Sequence, residues 1–91
     1  MNRTDILAAA AQAITQDRAA TYGSAENSFG LIAAYWSAHL DCKVTAVDVA
    51  TTMVLFKCAR MAGNPAHLDS WVDAAGYAAI GGELATGEAV K

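Results

Sequence analysis

Asp69 and Asp73 stand four residues apart in the stretch HLDSWVDAAGY. On a helix their carboxylates share one face, about one turn apart. Two like charges at that spacing repel by roughly a few tenths of a kcal/mol when exposed, and by more when partly buried, unless a cation answers them. Two cation sources are open. One is internal: Lys57 and Arg60, three residues apart, are the basic pair in the middle of the chain. The other is a divalent ion held by carboxylates from more than one helix, the usual way a helical bundle builds a metal site. Glu26 and Asp48 bring the candidate ligands to four carboxylates on three predicted helices. With no His/Cys ligand cluster, that set suits Mg²⁺ or Mn²⁺ rather than zinc. The same acids also fit a plainer role, because each falls near a predicted helix N-terminus, where a carboxylate complements the helix dipole.

Other polar and aromatic residues carry weaker signals. His39 and His67 are isolated in sequence and read as structural rather than as bases. Trp36, Trp71, Tyr22, Tyr35 and Tyr77 read mainly as core, although Trp71 and Tyr77 share a segment with the two acids and could flank a flat ligand. There is no Gly-rich phosphate loop and no local signature of Ser/His/Asp or Cys/His catalysis.

The elements that must position these residues are helices. Alanine occurs 22 times in 91 residues and proline once, and alanine leads the helix scale while being depleted in strands. Thr4 is a candidate N-cap for a first helix over residues 5–20, with Leu7, Ala11 and Ile14 as its buried stripe. Ser24 can cap a second helix over 25–40, with Phe29, Ile32, Trp36 and Leu40 along one face. Thr45 and Asp48 form a capping box with Asp in place of Glu, opening a third helix over 46–62 that is apolar nearly all round and so belongs in the middle of the bundle. Asn64-Pro65 restarts the chain into a fourth helix over 65–80, ended by Gly81-Gly82 and followed by a weakly structured tail over 83–91. The expectation is a single all-α domain over residues 1–91, a four-helix bundle.

Composition bounds the partners. Only 16% of the residues are charged, against about 25% for an ordinary soluble domain. A chain this short buries around 60 to 65% of its unfolded surface, and alanine supplies little area per residue. Self-association is the expected remedy, giving a homo-oligomer. The net charge of −3 with no Lys/Arg cluster argues against nucleic acid as a partner. No apolar run reaches about 18 residues and no leader-type segment opens the chain, so no membrane partner and a cytoplasmic location are expected. Cys42 and Cys58 lack CxxC spacing and read as small buried or half-buried hydrophobes.

Taken in order, several short motifs resemble one family. They are Arg18, Tyr22 and Gly23 in an RxxxYG entry; Glu26, Asn27 and Phe29; Tyr35-Trp36-Ser37; Asp48-Val49-Ala50; Met53 with the Lys57/Arg60 KxxR pair; and His67 leading into DSWVDxxGY over Asp69 to Tyr77. Over about residues 17 to 80 the chain is similar to small phage-encoded proteins whose described members are dATP/dGTP diphosphohydrolases, a branch of the MazG-like all-α nucleotide pyrophosphohydrolases. The resemblance implies a MazG-like bundle, commonly a tetramer, working in the host cytoplasm. It also implies Mg²⁺-dependent cleavage of a purine deoxynucleoside triphosphate to monophosphate and pyrophosphate. By similarity, Glu26, Asp48, Asp69 and Asp73 hold the ion, Asp69 and Asp73 serve the chemistry, and Lys57 and Arg60, then Arg18 and Tyr22, face the phosphates. The chain departs from the family's ExxE and ExxD pairs, since Glu26 is followed at i+3 by Phe29 and Asp48 by Thr51. Two readings stand: a cleavage site rebuilt around Asp69 and Asp73, or a nucleotide-binding protein that sequesters a nucleotide or cyclic-nucleotide signal without turnover.

Overall fold

The computed structural model describes residues 1–17 and 25–87. Its elements are α1 (Arg3–Gln12), a π-helical turn (Ala13–Asp17), α2 (Ala25–Leu40), α3 (Ala46–Gly63) and α4 (Leu68–Thr86). Among the described residues there is no strand, as the alanine bias predicts. No helix of these residues is long and apolar enough to cross a membrane.

The first helix starts earlier than its sequence suggests and ends sooner. Asn2, not Thr4, is the N-cap: its side chain accepts from the Asp5 amide at 2.8 Å, and the Asp5 carboxylate accepts from the Asn2 amide at 3.2 Å. After Gln12 the chain widens into the π-helical turn, where the Thr15 hydroxyl donates to the Ala11 carbonyl at 2.6 Å. The expected stripe is displaced. Leu7 and Ala11 are exposed, Ala10 is buried and Ile14 is half-buried. Ile14 reaches α4 from the widened turn, its Cγ2 lying 2.9 Å from where a Cβ on Gly76 would sit.

In α2, Phe29 and Ala33 are buried, Ile32 and Trp36 are half-buried, and Leu40 is exposed at the helix end. The proposed cap Ser24 lies outside the described residues. Asp41 leaves the helix at φ 52°, in the left-handed region that Asp tolerates better than most residues. Ser37 then clamps the following loop, its hydroxyl donating to the Val44 carbonyl at 3.1 Å and accepting from the Val44 amide at 2.9 Å.

The Thr45/Asp48 capping box of α3 is formed in both directions, at 3.1 Å and 2.9 Å. The helix is not, however, the centre of the molecule. Val49 and Ala50 are buried, whereas Leu55 is 63% exposed and Phe56 50%. The central position belongs to α4, which packs on α3, on α1 and on the π-helical turn, and buries Ser70, Val72, Ala74, Gly76, Tyr77 and Ile80. The physical reason is size: small side chains along α4 let neighbours approach on several sides, whereas the bulk of α3 is covered on one side only. Cys42, in the loop after α2, and Cys58, on α3, are exposed, contrary to their reading as buried or half-buried.

Both ends of α4 also move. Asn64 and Pro65 open a turn rather than the helix: the His67 amide donates to the Asn64 carbonyl at 3.1 Å, and the Trp71 indole N–H donates to the Pro65 carbonyl at 2.9 Å. At the far end Gly81-Gly82 does not stop the helix, which runs to Thr86 and closes on Gly87 at φ 72°. Gly81 serves close packing instead, since a Cβ there would come within 3.0 Å of the Ala50 methyl. The core cluster thus joins α2, α3 and α4 through Phe29, Ala33, Val49, Ala50, Tyr77 and Ile80.

The two adjacent glycines should therefore respond oppositely. Gly81→Val overpacks the α3–α4 contact and should cost about 1–3 kcal/mol in urea unfolding. Gly82, with nothing within 4 Å of its Cβ position, should become more stable on Gly82→Ala by about 0.5–1 kcal/mol. Asp48→Ala removes one half of the capping box and should cost about 1 kcal/mol in the same measurement.

Candidate functional site

The antiparallel α3–α4 pair carries the polar groups with chemical potential. At its middle, the Lys57 ammonium meets the Asp73 carboxylate at 2.9 Å, with the Lys57 side chain 16% exposed and that of Asp73 40%. This contact answers the like-charge problem of Asp69 and Asp73 from inside the chain. Arg60, one turn further along α3, is exposed and has no ion-pair partner among the described residues. Both cations flank the half-exposed Phe56 ring, with Lys57 Nζ 5.5 Å and Arg60 Cζ 5.9 Å from its centroid.

The acids take separate places. Asp69 is exposed in the first turn of α4. Asp48 is at the start of α3, engaged in its capping box. Glu26 stands in the first turn of α2, with its side chain outside the described set. Among the described residues no three His, Cys, Asp or Glu side chains come together as metal ligands. Asp48 is engaged in its capping box and Asp73 by Lys57, so the described residues of one chain do not fit a Mg²⁺ or Mn²⁺ site. The two aromatic candidates also separate: Trp71 is 44% exposed and tied to Pro65, whereas Tyr77 is buried in the core, its ring 6.1 Å from that of Phe29. Arg18 and Tyr22 lie outside the described residues.

Sequence reasoning missed a concavity of about 250 Å³ at the α3–α4 corner, lined by Arg60, Gly63, Asn64, His67 and Ser70. His67 is the N-cap of α4 but gives its first turn no side-chain cap; its Nδ1 instead lies 3.1 Å from the Ser70 hydroxyl. Ser70 is 1% exposed, the one buried polar residue among the described ones. The signal available in the sequence was the turn itself, because Asn64-Pro65 brings the residues on either side of it together. A second hollow, about 360 Å³ between α3 and α4, is walled mainly by Val54, Tyr77, Gly81 and Ala85 and has no ionised side chain in its lining.

The chain is 40% identical over 73 residues to the Gene 55 protein of Mycobacterium phage D29, covering 80% of this chain and 48% of that protein. It is 41% identical over 76 residues to the Gene 55 protein of Mycobacterium phage L5, covering 82% and 49%. The chain thus spans about half the length of these curated relatives. No solved structure matches it. Residues 5–85 match the family described as a domain of unknown function, DUF6378, and the chain belongs to that family.

Proposed function

We propose that this chain binds a nucleotide through its phosphates on the α3–α4 face, and that it does so as part of a homo-oligomer. The observation that carries the reading is the half-buried Lys57–Asp73 pair, which holds a cation and a carboxylate in place while leaving Arg60 and Asp69 exposed beside the α3–α4 corner. An open guanidinium suits a phosphate, to which it can present two parallel N–H groups. The phage setting of the Gene 55 relatives agrees with the resemblance to phage nucleotide enzymes.

Cleavage of a purine deoxynucleoside triphosphate to monophosphate and pyrophosphate, with Mg²⁺, is the second reading. What favours it is the pairing of exposed Asp69 with Asp73 one turn later on α4. The remaining acids would have to come from Glu26 or from a second copy. For the assembly, tetrameric by resemblance, the support is a charge-poor surface that leaves Leu31, Tyr35, Leu55 and Phe56 exposed.

Incubation with each dNTP, with and without Mg²⁺, tests both readings together with a calorimetric titration. Pyrophosphate release by the wild type that vanishes in Asp69→Asn/Asp73→Asn supports cleavage. Binding without release, weakened by Lys57→Ala/Arg60→Ala, supports sequestration, and a chain that neither binds nor cleaves any dNTP refutes both. Light scattering should give a multiple of the 9.4 kDa chain mass, reduced to the monomer in Leu55→Glu/Phe56→Glu; a monomeric wild type refutes the assembly.

A further inference from the structure

We propose that the α3–α4 corner concavity is a subsite for the terminal phosphates of the ligand, with Asn64 and His67 joining Arg60 as its donors and Ser70 holding the His67 ring. The inference rests on the phosphate-recognition reading above and assigns it a place. Its lining contains Arg60, Asn64, His67 and Ser70, and no carboxylate. Guanidinium and amide donate hydrogen bonds, and the Ser70 hydroxyl donating to Nδ1 leaves the imidazole Nε2–H to donate as well, which is the complement of an oxyanion.

The two central cations are not equivalent. Asp73 engages Lys57 at 2.9 Å, whereas Arg60 has no carboxylate partner among the described residues. Of the pair, Arg60 is the one with charge to offer a ligand. Ser70 supplies the second observation. A polar side chain buried to 1% exposure is held by a bond to His67 Nδ1 at the wall of the same concavity. That bond orients both groups before a ligand arrives, so less side-chain freedom is lost on binding.

Size selects the ligand fragment. About 250 Å³ holds roughly eight waters at about 30 Å³ each. That is small for a whole nucleotide, since ligand pockets run from about 300 to 1,000 Å³, and suits one or two phosphoryl groups. The sugar and base would then lie outside, toward the exposed Trp71 ring.

Calorimetric titration of the full chain with inorganic pyrophosphate, and separately with dATP, tests this. Wild type should bind pyrophosphate. Arg60→Ala should weaken it by about tenfold or more, the scale of a charge-assisted bond, and His67→Ala by several-fold. Lys43→Met, which removes an exposed cation from the loop after α2 and outside the lining of the concavity, should leave pyrophosphate affinity within about twofold. Arg60 and His67 are exposed, and circular dichroism melting checks that both variants stay folded. If dATP binds while pyrophosphate does not, or binds equally well to wild type and Arg60→Ala, the subsite is refuted and nucleotide recognition survives. If neither ligand binds wild type, both fall.

Discussion

The close approach of α3 to α4 is the constraint on which the rest of this molecule depends. Gly81 lets the backbone of α4 meet the Ala50 methyl, at a separation where any added Cβ would stand 3.0 Å away. Once the two helices are that close and antiparallel, the other pairings along the seam follow. Lys57 falls opposite Asp73, and Arg60 falls opposite Ser70 near the turn. The same approach seals Val49 and Ala50 from water and makes α4 a surface on which the π-helical turn can also pack, through Ile14 against Gly76. A larger residue at either glycine would push an element outward and separate the polar groups further along the seam.

Charge is scarce in this chain, and the structure spends it unevenly. Asp5 and Asp48 complete capping boxes, which ties them to helix initiation. Asp73 neutralises Lys57 in a half-buried contact, where the low local dielectric strengthens the pair while partial exposure limits its worth. What remains open near the α3–α4 turn is the Arg60 guanidinium, the Asp69 carboxylate in the first turn of α4, and a set of neutral donors. Such a residue set is better matched to recognising an anion than to gathering a metal within one copy of the chain.

The apolar surface points the same way as the charge. Leu55 and Phe56 are exposed on α3, and Leu31 and Tyr35 on α2. A chain with a thin, alanine-rich core leaves them uncovered because it has too few elements to wrap both sides of α3. Burial of such side chains is worth about 1.5–3 kcal/mol each, a gain that the proposed association with another copy would realise. A site completed across copies would also reconcile the dispersed acids of one chain with the family resemblance.

By itself the sequence determined the all-helical class, the Thr45/Asp48 start of α3 and the burial of Phe29 on α2, and it singled out Lys57 and Asp73, which the structure pairs. These are local properties: propensity, capping geometry and helical spacing act over a few residues and need no partner to be legible. The centre of the molecule, the length of α4 past Gly81-Gly82, and the division of labour between Lys57 and Arg60 were decided only by tertiary structure. Two helices had to pack before it was settled which cation meets a carboxylate. Glycine marks a stop or a close contact according to what lies against it. His67 and Ser70 became a candidate site for the same reason, since neither spacing nor composition reveals a hollow that forms where the end of one helix turns back on the start of the next.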